Sequence, residues 1–222
     1  MRKTKFANGE YYHIFNRGVD KREVFSDIQD YERFLLSMKL LNDKNDGAMI
    51  EWRDFKKYNP NTDYDDFLKL GFRKNKKIID IVAYCLNPNH YHFILKQTSA
   101  KGIEKFMHKI AISHTKHYND KYKRNGSLFQ GSYKAIMIDS DEYLLHLSAY
   151  VNKNHYIHGY KEKQEWKYSS LPDYLGKRND SLVKKDIILD QFRGIENYKK
   201  FINDSSAYTK NKKELQRYLI EK

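Results

Sequence analysis

The sequence predicts an α+β domain in which strands and helices follow one another in the order β-α-β-β-α-β, with one more helix behind the last strand. The prediction depends on short runs rich in β-branched and aromatic residues, on longer stretches with apolar residues at helical spacing, and on turn residues between them. At 222 residues the chain is long enough for one domain of ordinary size with an appendage, or for two small ones.

The first part of the chain predicts a strand and a helix. The segment EYYHIFNRG (10–18) is rich in strand-forming residues and ends on Gly18, which indicates a strand and its turn. Asp27 or a neighbour can cap a helix that has apolar residues at helical spacing, namely Tyr31, Phe34, Leu35, Met38 and Leu41. Residues 45–77 are charged and aromatic without a clear period, so we expect an irregular insertion there.

The middle of the chain predicts the remaining core elements. IIDIVAYCL and YHFILKQ are two strands joined by the tight turn NPN, and KAIMID is a fourth strand. Gly102 opens a second helix, and His114 lies on its apolar stripe, where a core histidine is the expected role. SDEYLLHLSAYVNKNHY is a capped third helix. This order is that of the ferredoxin-like fold.

The end of the chain is polar and helical. Two amphipathic pieces cover 180–194 and 195–204, and a charged helix follows over 210–222. We therefore expect a main domain over 1–176, with the insertion at about 45–77, and a helical C-terminal extension over 177–222.

The composition favours a polyanionic partner. There are 42 Lys and Arg against 29 Asp and Glu, which gives a net charge of +13. The chain also has 19 Tyr and 12 Phe, many of them beside basic residues. Aromatic faces stack on bases of single-stranded nucleic acid while Lys and Arg follow the phosphates. A compositional bias of the genome would give the same numbers without a functional reason. The lone Cys85 excludes an internal disulfide, and no apolar stretch is long enough for a membrane span, so we expect a soluble, cytoplasmic protein.

The segment CLNPNHYHFILKQ carries the strongest chemical signal. His90 and His92 project from the same face of a strand, and two convergent imidazoles are half of a metal site, although a partly exposed strand face is the simpler explanation. Tyr150 and Asn154 lie four residues apart on one face of the third helix and could complete the site. An amide oxygen beside two imidazoles favours Mn²⁺ or Mg²⁺ over structural zinc.

Several ordered motifs resemble one known family. NPNHYHFIL, GSLFQGSYK, DEYLLHLSAYVNKN and WKYSSLPDYLG resemble the single-tyrosine transposases of the HUH endonuclease superfamily, in particular the REP-associated tyrosine transposase group. The resemblance runs from about Tyr11 to the end of the chain, apart from the insertion. It implies that His90, His92 and Asn154 bind a divalent metal ion and that Tyr150 is the nucleophile.

The resemblance also implies a reaction and a substrate. Tyr150 would attack the phosphorus of a single DNA strand, and the 5′-phosphotyrosine would keep the bond energy needed to rejoin strands. The DNA would be a hairpin in single-stranded form, and the enzyme a monomer or homodimer associated with the nucleoid. Candidate phosphate contacts are Arg17, Lys21, Arg22, Lys123, Arg124 and Lys134.

The sequence departs from the family at the nucleophile. Family members usually have Tyr-Ile-His-x-Asn-Pro, whereas this chain has YVNKNH, with Asn152 in place of the His and His155 in place of the Pro. His155 could be a spare metal ligand or an exposed helix cap. Three alternatives remain: a replication or mobilisation nickase with the same chemistry, a domesticated hairpin-binding protein that does not cleave, and a basic RNA-binding module.

Overall fold

A four-stranded antiparallel sheet forms the centre of the fold. The computed structural model describes residues 4–71, 73–160, 166–178 and 180–211, with side chains of the last helix described up to Ser205. Within these ranges the strands are β1 (Tyr11–Arg17), β2 (Ile79–Asn87), β3 (His90–Gln97) and β4 (Lys134–Ile138). Their order across the sheet is β2-β3-β1-β4, and every neighbouring pair is antiparallel.

Helices stand between and after the strands. In the described part of the chain they are α1 (Ile28–Leu41), α2 (Ala48–Tyr58), α3 (Tyr64–Lys69), α4 (Gly102–Lys121), α5 (Asp141–Asn152), α6 (Asn154–Ile157), α7 (Leu171–Tyr174), α8 (Asp186–Leu189) and α9 (Ile195–Asn211). With α1 between β1 and β2, and α4 between β3 and β4, the core has the β-α-β-β-α-β order. The predicted ferredoxin-like α+β fold is confirmed.

The two faces of the sheet differ because side chains alternate along β3. Tyr91 and Phe93 point to the face covered by α1 and α4, where the ring of Phe34 lies 6.0 Å and 6.3 Å from theirs. His90 and His92 point to the opposite face, where the ring of Tyr150 on α5 lies 5.6 Å from that of His92. The predicted projection of both imidazoles to one side is therefore confirmed.

The predicted helix starts are also confirmed. The side chain of Asp27 accepts the backbone N–H of Asp30, whose carboxylate in turn accepts from the Asp27 backbone N–H, so the two form a capping box for α1. Ser140 caps α5 by accepting the N–H of Tyr143 at 3.2 Å. On α4, His114 is buried with its Nε2 donating to the carbonyl of Val24 at 2.6 Å, which is the expected core role.

Residues 45–77 contain the helices α2 and α3, so the expectation of an irregular insertion was wrong. Apolar residues of both helices pack with Leu40 into a small cluster of their own, which comprises Ala48, Phe55, Tyr64 and Phe67. The buried guanidinium of Arg73 closes the insertion through Asp43 at 2.7 Å and Glu51 at 2.6 Å. Helices of 11 and 6 residues make too few turns for a period to stand out in the sequence.

The third predicted helix is interrupted at Lys153. Tyr150 belongs to α5, whereas Asn154 is the first residue of α6, and the backbone between them turns at Lys153 with φ −104° and ψ 9°. The prediction that both residues share one face of a single helix was therefore wrong. The spacing of four residues does not reveal a break of this kind, because Lys153 is an ordinary helix-forming residue.

The described residues beyond 176 pack into the same hydrophobic core as the sheet. Leu182, Val183, Ile188, Tyr198 and Ile202 are all buried in that core. The stretch 195–211 forms one continuous helix, and the predicted charged helix at 210–222 lies almost entirely outside the described residues. None of the described helices is both long and apolar enough to span a membrane.

Candidate active site

The turn between β2 and β3 fixes the position of His90. The N–H of Gly18, just after β1, donates to the carbonyl of Asn89 at 2.8 Å. A Cβ on Gly18 would lie 2.1 Å from the carbonyl oxygen of Arg22, so only glycine fits this turn. The end of β1 and the start of β3 are thereby held in register.

A polar network surrounds the His90 ring. Its Nδ1 donates to Oδ1 of Asn89 at 2.6 Å, which leaves Nε2 as the nitrogen with the lone pair. The amide nitrogen of Asn87 donates both to this Nε2 at 2.8 Å and to Oδ1 of Asn154 at 2.5 Å. The His90 Nε2 and the Asn154 Oδ1 are themselves 3.0 Å apart. Two electron-pair donors thus face one another.

This arrangement fits a divalent cation. Adjacent ligands of an octahedral ion with bonds of 2.0–2.1 Å lie about 3 Å apart, as these two atoms do. The amide Nδ2 of Asn154 is buried without a hydrogen-bond partner among the described residues, whereas its Oδ1 faces His90 Nε2. No group of three or more His, Cys, Asp and Glu side chains within the described ranges is placed to hold a metal, and the candidate ligands instead combine two imidazoles with an amide oxygen. Such a ligand set suits Mg²⁺ or Mn²⁺.

The second histidine of the pair is tied to a third one from β1. His92 Nδ1 lies 2.9 Å from Nε2 of His13, and both side chains are buried. Burial lowers the pKa of His90 to about 4 and that of His13 to about 3, and it lowers the pKa of His92 well below its usual value. All three rings are therefore neutral at pH 7, which is the state in which imidazole binds a metal.

Tyr150 lies beside this cluster. Its ring meets the ring of His92 edge-on at 5.6 Å and that of His13 at 6.5 Å. The side chain is only 3% exposed. The structure thus brings together all four residues that the sequence indicated, with Tyr150 beside His92 and Asn154 beside His90.

A cavity of about 170 Å³ opens onto the two histidines. Its walls also contain basic and aromatic side chains, and the full lining is Arg17, Lys21, Asn89, His90, His92, His158 and Tyr160. Arg17 pairs directly with His90 across β1 and β3, so its charge stands next to the candidate metal site. Tyr150 does not line this cavity.

Of the six predicted phosphate contacts, the structure places two at the cavity and four elsewhere. Arg17 and Lys21 line it, whereas Arg22, Lys123, Arg124 and Lys134 do not. The guanidinium of Arg22 donates to the carbonyl of Val19 and to Asp20, and that of Arg124 donates to Asn119 at 3.3 Å.

The two residues that depart from the family pattern, Asn152 and His155, both make contacts within the fold. Asn152 is buried, donates to the hydroxyl of Tyr198 at 2.8 Å, and accepts from the hydroxyl of Ser170 at 2.5 Å. His155 is also buried, with its ring stacked 6.0 Å from that of Trp166. Of the two alternatives for His155, a spare metal ligand and an exposed helix cap, the exposed cap was therefore wrong, because Trp166 covers the ring.

Sequence reasoning missed four residues of this site: His13, Asn87, Asn89 and His158. His13 stands in the quoted strand segment EYYHIFNRG, and strand alternation puts residues 13, 15 and 17 on one face, but nothing local shows which strand β1 meets. Asn87 and Asn89 flank Pro88 and looked like turn residues only. The ring of His158 lies 4.6 Å from that of His90, although 68 positions separate the two residues in the sequence.

The site therefore consists of a histidine pair on one face of an antiparallel ferredoxin-like sheet, with a tyrosine-bearing helix packed against that face. Residues 66–154 match the family model of IS200-like transposases, and this segment contains His90, His92, Tyr150 and Asn154. The resemblance to single-tyrosine transposases is thereby confirmed over this segment.

Similarity to solved structures supports the same fold. A REP-associated tyrosine transposase bound to a REP hairpin matches with a TM-score of 0.52 and 12% identity, covering 83% of this chain and 96% of that one. A protein from Deinococcus radiodurans R1, provisionally assigned as a transposase, matches with 16% identity over 72% of this chain and 98% of its own. Its TM-score of 0.34 is too low to indicate a shared fold. A search of curated proteins finds no match.

Proposed function

We propose that this protein is a metal-dependent transposase that nicks and rejoins single-stranded DNA through a covalent link to Tyr150. One observation carries the proposal: within the segment that matches the transposase family, Tyr150 contacts His92 and Asn154 contacts His90 on one face of the sheet. A generic RNA-binding module would not require this grouping.

The candidate ligands are His90, His92 and Asn154. They would hold Mg²⁺ or Mn²⁺ through imidazole Nε2 atoms and the amide oxygen. When bound there, the ion would polarise the scissile phosphate and offset the charge that develops on it. Asn87 and Asn89 orient two of the ligands by hydrogen bonds to His90 and Asn154.

The phenol of Tyr150 would supply the nucleophile. Its oxygen forms a bond to phosphorus and releases its proton to solvent, while the bond between phosphorus and the 3′-oxygen breaks and that oxygen takes up a proton. The product is a 5′-phosphotyrosine and a free 3′-hydroxyl. A 3′-hydroxyl can then attack the phosphotyrosine, which rejoins the strands and releases Tyr150. No further energy source is needed.

The cavity gives the DNA strand a route to the ligands. Arg17 and Lys21 place two positive charges on its wall, and His158 and Tyr160 offer flat rings for contact with a base. The net charge of +13 attracts the phosphate backbone from a distance. A hairpin is the proposed substrate, since the similar REP-associated transposase was solved with one.

The burial of Tyr150 favours a second candidate function. At 3% exposure the side chain has to leave its place against His92 before a phosphate can reach its oxygen. A hairpin-binding protein that does not cleave would keep Tyr150 in this position permanently. The two candidates differ in whether a covalent adduct forms.

A labelled hairpin assay with Tyr150→Phe tests the proposal. The variant loses only the phenolic oxygen, so we expect normal folding and hairpin binding but no protein–DNA adduct on a denaturing gel. Tyr156→Phe is the matched control, because Tyr156 is 43% exposed, lies six positions further on, and should not be needed. An adduct formed by Tyr150→Phe, or none formed by the wild type with Mn²⁺, would contradict the proposed chemistry.

A further inference from the structure

The contact between His13 and His92 is unusual in its position and chemistry. The two rings lie 5.2 Å apart and are inclined by 20°, with Nε2 of His13 2.9 Å from Nδ1 of His92. His13 lies on β1 two residues before Phe15, and Phe15 is the direct register partner of His92. A fully buried imidazole needs a reason, because polar groups are costly to bury.

The pair can share one N–H in two ways. Nε2 of His13 and Nδ1 of His92 are 2.9 Å apart, which is hydrogen-bond distance, so a single hydrogen lies between them. If His13 donates, Nε2 of His92 carries a hydrogen and cannot bind a metal. If His92 donates, its Nε2 has a free lone pair.

The tautomer of His90, by contrast, is fixed by its partner. Its Nδ1 faces the carbonyl oxygen of the Asn89 side chain at 2.6 Å, and that oxygen can only accept. The two candidate ligands are therefore oriented by different kinds of partner, an amide oxygen for His90 and an imidazole for His92. Only the second partner can act as either donor or acceptor.

We propose that His13 is a positioning residue of the metal centre, which accepts the Nδ1 hydrogen of His92 and so holds the His92 ring and its Nε2 lone pair toward the ion. The proposal rests on the proposed function, because it assumes that His92 is a ligand. His13 then carries its own hydrogen on Nδ1, an atom that is buried without a hydrogen-bond partner among the described residues.

The same pair also forms the wall against which Tyr150 packs. The Tyr150 ring meets both rings edge-on, at 5.6 Å from His92 and 6.5 Å from His13. A rotation of His92 would therefore change the place of the nucleophile as well as that of the ligand. His13 acts on both through one hydrogen bond.

Titration calorimetry with Mn²⁺ alone tests the proposal without DNA or activity. We expect His13→Ala to weaken Mn²⁺ binding by roughly ten- to a hundred-fold, the usual effect of removing a hydrogen-bond partner of a metal ligand. His13→Gln should restore most of the affinity, because its amide oxygen reaches about as far as imidazole Nε2. His13→Asn should not, because its amide ends one bond short.

His114→Gln is the matched control. His114 is a second buried histidine, on the other face of the sheet, with its Nε2 donating to the carbonyl of Val24. The same substitution there should leave Mn²⁺ affinity unchanged, which separates a specific effect from a general loss of stability. Thermal melts of each variant show which proteins are folded.

A second readout is the imidazole ¹⁵N spectrum of histidine-labelled protein with Mg²⁺. We expect His92 to carry its hydrogen on Nδ1 in the wild type. Unchanged Mn²⁺ affinity in folded His13→Ala, or equal losses in the Gln and Asn variants, would overturn the role of His13 and leave the metal site standing. A hydrogen on Nε2 of His92 would overturn both the role of His13 and that of His92 as a ligand. Failure of the wild type to bind Mn²⁺ would instead overturn the metal site itself.

Discussion

The hydroxyl of Tyr198 joins the C-terminal helix α9 to the helix that carries Tyr150. Asn152, two residues after Tyr150, donates its amide hydrogen to this hydroxyl at 2.8 Å, and neither side chain is accessible to solvent. Tyr198→Phe removes the acceptor and leaves the Asn152 N–H buried without it. We expect the variant to lose stability and the end of α5 to loosen.

The magnitude follows from burial. A buried donor deprived of its partner costs about 1–3 kcal/mol, whereas an exposed one would be satisfied by water at little cost. The amide oxygen of Asn152 keeps its hydrogen bond, because Oδ1 accepts from Ser170 Oγ at 2.5 Å. The loss should therefore remain within this range and the fold should survive.

Tyr174→Phe is the matched control for this prediction. Tyr174 is equally buried and stacks on Tyr198 at 5.1 Å, but its hydroxyl donates to the carbonyl of Val82 on β2. Urea denaturation should show similar losses in both variants. Hydrogen exchange at residues 150–152 and a fall in hairpin nicking should appear only in Tyr198→Phe.

Two results would refute the reasoning about Tyr198. Unchanged stability of Tyr198→Phe would mean that the bond to Asn152 contributes nothing. Equal hydrogen exchange at residues 150–152 in both variants would mean that α9 does not hold α5 through this bond.

Three further predictions concern the metal, the DNA and acid. Asn154→Ala should lose more nicking activity in Mg²⁺ than in Mn²⁺, because imidazoles retain Mn²⁺ better once the oxygen ligand is gone; equal losses would indicate that Asn154 only positions its neighbours. Hairpin binding should weaken with salt, with a logarithmic slope of about 0.7 for each single-strand phosphate contact, and a flat profile in a fluorescence titration would make the charge incidental. Burial lowers the pKa of His114 to about 4 from an unfolded value near 6.5, so the folded state binds fewer protons and loses stability as the pH falls through this window. His114→Gln should reduce the loss between pH 7.5 and 4.5 by about 2–3 kcal/mol in urea titrations, and identical pH profiles would contradict this.

The order of elements could be predicted from the sequence because each core element carries a local pattern. Alternation along 90–97 indicated both the strand and the common face of His90 and His92, and the capping residues Asp27 and Ser140 marked helix starts. The helices within residues 45–77 could not be predicted, because they are short and bury their apolar faces against Leu40 of another element. Tertiary packing decides the structure there.

The site could be predicted only in part, for the same physical reason. His90, His92, Tyr150 and Asn154 followed from motifs, but the break at Lys153 between the last two had no local mark. Asn87 looked like a turn residue because its role depends on Asn154, 67 positions later. A residue whose function is to orient another cannot be found before the two are known to be in contact.

His13 shows how strongly the site depends on strand register. Side chains alternate along a strand, so a slip of β1 by one residue against β3 would turn His13 and Arg17 away from the face that carries His92. Backbone hydrogen bonds hold both ends of this pairing, from Gly18 N–H to the carbonyl of Asn89 and from Gly9 N–H to the carbonyl of Gln97, each at 2.8 Å. The glycine turns that flank β1 therefore help to determine which imidazole His92 meets.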